Sequence, residues 1–146
     1  KESEQFLREN KTNPAAARAY ATFLYHTQKY PQVIELGEQT LEKETPRNAF
    51  AWLSLLHASY YKTGQTEKAD ESLKQLEQIA SNDTKARYSL AMNYAESMRI
   101  DEAIAALQKC LEMREERMVW LNVEPRFANL KNDSRFEDLV QKMRLR

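Results

Sequence analysis

Apolar residues recur along the chain with the three- or four-residue spacing of amphipathic helices. They do so over 47–62, the pattern breaks at Gly64, and the same spacing resumes over 66–80. A glycine at such a break suits the left-handed residue that ends many helices. The stretch 83–117 repeats this arrangement, with Met98 at the position of Gly64. The pattern therefore predicts pairs of helices joined by short turns.

These helix pairs recur at an interval of 34 to 36 residues, because Val33, Ala69 and Ala103 align and stand 36 and 34 residues apart. A repeat of this length is typical of arrays in which small helical units stack on one another. We expect a further helix within 2–10 and two shorter ones after Pro125. The helices of the three pairs are expected near 14–28, 31–43, 47–62, 66–80, 83–97 and 101–117.

The last part of the chain contains a doubled string, Arg-Phe-x-x-Leu, at 126–130 and again at 135–139. Pro125 suits the first turn of one helix, and Asp133 or Ser134 suits the cap of the next. A stacked array needs its exposed last face covered. We therefore predict that this segment closes the array. Three of its aromatic side chains are expected to be mostly buried against the last unit: Trp120, Phe127 and Phe136.

The two-helix units resemble the tetratricopeptide repeat, which has about 34 residues. The resemblance covers about 14–116 and includes columns such as Leu24, Tyr60 and Tyr94. It implies an all-α fold, a right-handed α-α superhelix (a solenoid) of three helix pairs with C-terminal capping helices. The single domain 1–146 would comprise a flank at 1–13, repeats at 14–49, 50–83 and 84–117, and a cap at 118–146.

Residues 100–143 also resemble the closing segment that follows such repeats in bacterial multidomain regulatory proteins. The sequence begins at Lys1 rather than Met, which we interpret as a piece of a larger protein. The resemblance implies that this larger protein is a bacterial regulatory one, in which the repeats act as a scaffold for protein binding.

Charge and composition narrow the classes of function. Because 22 Lys and Arg balance 22 Asp and Glu, no net charge attracts nucleic acid or an anionic membrane. No apolar run approaches the roughly 20 residues that cross a bilayer. The single cysteine, Cys110, excludes an internal disulfide. We expect no nucleic acid and no membrane as partner. The cytoplasm is the favoured compartment, with the periplasm as alternative if a signal or anchor precedes the sequence.

The sequence carries no recognisable catalytic or metal-binding pattern. We interpret His57 as a structural residue on a packing face and His26 as a solvated one. Cys110 shares an apolar column with Leu76, which favours an inert buried thiol over a nucleophile. Metal-ligand spacings and glycine-rich phosphate loops are missing. We therefore predict that the chain is not an enzyme and uses no cofactor and no metal.

Binding of a protein or peptide is the class of function that remains. The resemblance implies that the first helix of each pair lines a concave face. The positions that it assigns to a partner are Arg18, Thr22, Tyr25, His26, Ser54, Tyr61, Lys62, Lys85, Tyr88, Met92 and Glu96. Cations outnumber carboxylates in this set, and its tyrosines offer apolar area with a hydroxyl group. We predict a partner segment with acidic and apolar residues.

Three alternatives stay open. The tyrosines could only pack between helices, the array could be a structural or self-association module, or the groove could hold a small effector ligand. A clamp for a C-terminal carboxylate, as in chaperone-binding members of the family, would use Arg18, Thr22, Leu55, Lys85 and Ser89. We do not expect it, because Thr22, Leu55 and Ser89 do not supply the asparagines and the last cation.

Overall fold

The protein is described by a computed structural model that covers residues 2–10 and 12–145, with side chains from Glu4 onward. This part of the chain is mostly helical and contains no strand, so the predicted all-α fold of successive packed helix pairs is confirmed. The α-helices are α1 (Glu2–Glu9), α2 (Pro14–His26), α3 (Tyr30–Leu41), α4 (Ala49–Lys62), α5 (Thr66–Ala80), α6 (Thr84–Glu96), α7 (Ile100–Glu112) and α8 (Ser134–Arg144). Two 3-10 helices, Glu116–Trp120 and Pro125–Leu130, lie between α7 and α8.

The chain divides into two compact units, Lys1–Leu73 and Lys74–Arg146, and the boundary falls within α5. In the first unit, α2 packs against α1, α3 and α4, and α3 packs against α4. Trp52 on α4 is fully buried in this core. The buried residues that cluster with it are Ala17, Ala21, Leu24, Tyr25, Val33, Leu55 and Ala58.

A close approach of α3 and α4 depends on Gly37. A Cβ atom built at this position would lie 2.7 Å from Cδ2 of Leu56, which is closer than real Cβ contacts allow. Glycine therefore sets the spacing of these two helices, since any larger residue would displace the Leu56 side chain.

Glu44 joins three elements of the first unit. Its Oε2 atom accepts a hydrogen bond from Trp52 Nε1 at 3.0 Å and an ion-paired one from Arg18 Nη1 at 2.8 Å. The Glu44 side chain is almost fully buried. Burial opposes its charge, but the hydrogen bonds from Trp52, the Thr45 amide and Arg18 outweigh it and hold the pKa of Glu44 below its ordinary value.

In the second unit, α6 packs against α7 on one side and against both 3-10 helices on the other, and α8 packs against α7. Its fully buried side chains include Ile104, Leu107, Phe127, Leu130 and Leu139. We call residues 116–144 the cap. Its Phe127 ring lies 6.0 Å from the Phe136 ring, centroid to centroid, so both halves of the doubled string meet in one core.

Both units contain a tyrosine that bonds the preceding second helix. In the first unit Tyr60 on α4 donates to Glu38 on α3 at 2.6 Å, with Lys68 above its ring. In the second, Tyr94 on α6 donates to Glu77 on α5, with Arg99 above its ring. Burial first, and then the carboxylate beside each hydroxyl, raise the pKa of both tyrosines well above the ordinary value. The column that contains Tyr60 and Tyr94 therefore links successive helices.

Among the described residues, four helix ends close with the same left-handed turn. The backbone φ angle is positive at Gln28 (62°), Gly64 (77°), Met98 (63°) and Arg114 (57°). In each case the next amide donates to the carbonyl five residues back, over 2.8 to 3.0 Å, which is the Schellman arrangement. Met98 and Gly64, which align in the sequence, thus adopt the same turn. A residue with a Cβ atom is strained in this left-handed conformation.

The end of α7 differs from the prediction. The apolar spacing predicts a helix over 101–117, but α7 ends at Glu112 and Arg114 turns the chain into a 3-10 helix. This turn directs Met118 and Leu121 inward and leaves Trp120 61% exposed. The predicted burial of Trp120 is therefore wrong, whereas the predicted burial of Phe127 and Phe136 is confirmed.

Candidate partner-binding faces

In the first unit, four of the positions assigned to a partner lie on the solvent side of α2 and α4. Thr22 and His26 on α2 are exposed, as are Tyr61 and Lys62 at the end of α4. We call these four residues the open face. Because α2 and α4 pack directly against each other, the residues of the open face lie on two adjacent helices.

Tyr61 is the large side chain of the open face and is 44% exposed. Its ring is nearly parallel to the imidazole of His57, with 6.4 Å between the centroids and 20° between the planes. His57 itself is 3% exposed and sits among the packed residues of α4. This buried neighbour restricts the Tyr61 ring, so less conformational entropy is lost when a partner contacts it.

Three other positions of the first unit are not available as predicted. Arg18 is not a free cation, because it pairs with Glu44. Ser54 is 2% exposed and Tyr25 is 6% exposed. The Tyr25 ring contacts the rings of His26 and Tyr30, at centroid distances of 5.7 and 5.5 Å. Tyr25 is therefore a packing residue, which was one of the alternatives left open by the sequence.

In the second unit, the cap covers the corresponding side of α6. Tyr88 is 2% exposed, with the Phe127 ring edge-on at 5.5 Å and the Arg117 guanidinium 4.5 Å from its centroid. Burial, followed by the charge of Glu124, raises the pKa of the Tyr88 hydroxyl. Met92 is 8% exposed. The assignment of Tyr88 and Met92 to a partner is therefore corrected, since the chain's own C-terminal segment occupies that side of α6.

Glu96 also serves the cap rather than a partner. Its Oε1 atom accepts hydrogen bonds from Arg126 Nε at 2.9 Å and Nη2 at 2.6 Å, and both side chains are nearly buried. The Asn129 amide donates to the Ala95 carbonyl at 2.9 Å, at the same end of α6. Among the positions assigned to a partner on this helix, Lys85 is the one that stays exposed.

The doubled string also carries a charge signal that its apolar spacing does not reveal. In each copy the arginine precedes a buried phenylalanine and forms an ion pair with a helix of the last pair. Arg126 pairs with Glu96 on α6, and Arg135 Nη2 lies 2.9 Å from Asp101 Oδ1 on α7. The spacing identifies the phenylalanines as apolar anchors, but the acidic partners of the arginines lie some thirty residues earlier in the chain.

The surroundings of Cys110 disfavour the nucleophilic role that was weighed for it. Cys110 is buried, its Sγ atom lies 3.9 Å from the Thr84 carbonyl, and burial raises the pKa of the thiol to about 12. At that value the nucleophilic thiolate is not populated near neutral pH. Of the clamp positions, Leu55 and Ser89 are buried, and Arg117 contacts the Ser89 hydroxyl at 3.3 Å. No helix of the described residues has the length and apolar character to traverse a bilayer.

Residues 84–117 match the family model of the tetratricopeptide repeat, over the same bounds that the sequence pattern gives to the third repeat. These residues comprise α6, α7 and the beginning of the cap. Comparisons with curated proteins and with solved structures gave no significant match.

Proposed function

Because the chain carries a tetratricopeptide repeat, which supports a general role in protein–protein interaction, we propose that it binds a peptide segment of a partner protein through the open face of α2 and α4. The family is typically non-catalytic, which agrees with this role. The partner segment is extended or helical and carries apolar and acidic residues. The resemblance of the closing segment supports a place for the chain within a larger bacterial regulatory protein.

The observation that carries the proposal is the exposure of an aromatic side chain on a rigid base. The Tyr61 ring stacks on that of buried His57, and the residue is 44% exposed. Tyrosine in such a position supplies contact area at a low cost in entropy, which is why it is frequent at binding hot spots. Thr22 and His26 add hydrogen-bonding groups on the neighbouring helix.

The ion pair between Arg18 and Glu44 reduces the positive charge that is offered to a partner. Glu44 neutralises Arg18, so Lys62 is the cation that this face offers to an acidic residue of a partner. We expect Lys62, an exposed rim charge, to contribute on the order of 1 kcal/mol or less, and less at high salt. Tyr61 should contribute about 2 kcal/mol as an anchor.

The test begins with selection of peptides from a displayed random library on the immobilised chain. Synthetic copies of the selected peptides are then titrated against the wild type, Tyr61→Ala and Lys62→Glu by calorimetry. We expect enrichment of apolar and acidic residues and at least tenfold weaker binding to Tyr61→Ala.

Two variants of exposed residues elsewhere serve as matched controls. Trp120→Ala removes an exposed aromatic ring from the cap, and Lys74→Glu reverses an exposed charge on α5. Both should bind the peptides as the wild type does. Equal affinity for the wild type and Tyr61→Ala, or a selection that yields no peptide, would contradict the proposed site.

A further inference from the structure

The junction between α7 and the cap combines a strained turn with residues that favour helix. Arg114 has a φ angle of 57°, where a side chain is disfavoured. The surrounding stretch 111–118 reads Leu-Glu-Met-Arg-Glu-Glu-Arg-Met, without glycine or proline. All of these residue types are good helix formers, so local preference opposes the observed break. A hinge of this kind is a recognised source of exchange between chains.

The cap makes contacts that do not depend on its being in the same chain. Its ion pairs with Glu96 and Asp101 and its ring contact with Tyr88 join residues separated by 30 to 39 positions. A cap from another molecule would present the same groups to the same side of α6 and α7. The exchange would therefore conserve the buried contacts of the cap, and only the hinge 113–115 would change.

Apolar side chains in the hinge and in the residues just after it are exposed. Met113 is 55% exposed, Val119 is 66%, Trp120 is 61% and Val123 is 67%. Met113 belongs to the hinge, and Val119, Trp120 and Val123 follow it within the next ten residues. Exposed apolar residues concentrated in so short a stretch are typical of an interface.

We propose that α7 can continue through the hinge as a helix, and that two copies of the chain then exchange their caps to form a symmetric dimer. In this dimer each cap occupies the α6 and α7 surface of the other copy. Arg114 leaves the left-handed region, the 3-10 helix Glu116–Trp120 keeps its contacts with α6, and the Met113 side chains of the two copies face each other. The driving contributions are thus relief of the turn and burial of the exposed apolar residues.

The oligomeric state of hinge variants tests whether the turn at Arg114 affects the stability of the dimer. Light scattering after size exclusion, over a series of protein concentrations, gives the dimer dissociation constant. Arg114→Gly relieves the strained turn and weakens the open helix, so it should raise that constant roughly tenfold or more. Arg114→Ala keeps the strain and should lower the dimer dissociation constant or leave it unchanged. A monomer at every concentration for both the wild type and Arg114→Ala would overturn the proposal.

Cross-linking between single-cysteine variants tests the exchange itself. Asp101→Cys and Arg135→Cys each replace an exposed side chain of the ion pair between α7 and the cap. The two variants are mixed at high concentration, equilibrated and treated with a short bis-maleimide. The native Cys110 is buried and should not react.

An exchanged dimer joins the two variants covalently, because the cysteine introduced on α7 of one variant then lies beside the cysteine introduced in the cap of the other. Each variant alone is the control, and neither should give this product, since neither carries both cysteines. Dimers that form without cross-links in the mixture would show that association uses another surface, and would overturn the proposal. The result does not depend on the open face, because Tyr61→Ala leaves the hinge and the cap unchanged.

Discussion

The solvent side of α2 and α4 and the equivalent side of α6 show two outcomes of one repeated pattern. On α2 and α4, Tyr61 and Lys62 stay exposed. On α6, Tyr88 and Glu96 are covered by Phe127 and Arg126 of the cap. Both sides consist of a first helix with tyrosines and charges at related positions. Whether such a side stays exposed or becomes part of the core depends on which segment follows it in the chain.

The same comparison holds for the buried charges. In the first unit, Glu44 accepts hydrogen bonds from Arg18 on α2 and from Trp52 on α4, which both belong to the repeats. In the second unit, Glu96 is held by Arg126, which the cap supplies. The first arrangement stabilises the repeats themselves, and the second attaches a segment to them. Of the four substitutions below, those at Arg126 and Glu44 separate these two roles.

The largest effect is expected for Phe136→Ala in the cap. Phe136 is 2% exposed and packs with Phe127, so its truncation should leave a cavity and cost about 3–5 kcal/mol. Urea unfolding followed by circular dichroism measures the change. Trp120→Ala, which alters an exposed ring of the same cap, should change stability by about 0.5 kcal/mol or less. Equal effects of the two substitutions would mean that the cap is not a packed core.

Arg126→Met should be next in size. It removes the arginine that donates two hydrogen bonds to Oε1 of the nearly buried Glu96, at a cost of about 3 kcal/mol in the free energy of unfolding. Arg135→Met, which breaks the exposed pair with Asp101, should cost much less. The double variant Arg126→Met with Glu96→Met should recover most of the loss, because it removes both charges. Additive losses in the double variant would contradict this account.

Glu44→Gln should destabilise the first unit by about 2 kcal/mol at neutral pH, since the carboxylate accepts charge-assisted hydrogen bonds. The pKa of Glu44 is lowered in the folded state, so its contribution is present above its ordinary value of 4.5. That contribution is lost as the pH falls from 4.5 through the lowered pKa. Unfolding curves over this range should therefore converge for the two proteins, whereas Glu35→Gln, at an exposed position, should follow the wild type throughout.

The smallest effect is a gain in stability from Met98→Gly. Met98 adopts the left-handed conformation that Gly64 adopts in the preceding pair, and removal of its Cβ should stabilise by about 1 kcal/mol. The reverse change, Gly64→Ala, should destabilise by a similar amount, although nothing lies within 4 Å of the added Cβ. Denaturant midpoints of both variants measure this, and shifts in the same direction would refute a backbone origin.

The helices of the repeats could be predicted from the sequence because their signals are local. Apolar spacing and Gly64 located α2 to α6 to within two residues at each end. The end of α7 could not be predicted in this way, because the stretch after Glu112 contains good helix formers. The break is imposed by the packing of Met118 and Leu121 in the cap, which is a tertiary effect.

The candidate site was predicted only in part, for a related reason. Resemblance to a repeat assigns a side of a helix, but exposure depends on residues that are distant in sequence. Tyr61 and Lys62 stay exposed, whereas Arg117 and Phe127 cover Tyr88 from about thirty to forty positions later. Pairing of Arg18 with Glu44 depends likewise on a loop that the pattern left undefined.

The four left-handed turns also determine the order in which the molecule can assemble. Each turn is closed by a hydrogen bond that spans five residues, whereas the Arg126–Glu96 and Asn129–Ala95 contacts span 30 and 34. The entropy lost in closing a loop grows with its length, and local contacts form first. Helix hairpins should therefore form early and the cap should dock last. During synthesis, the Tyr88 side of α6 stays uncovered until the ribosome has released Phe127, and in that interval it is an exposed apolar surface.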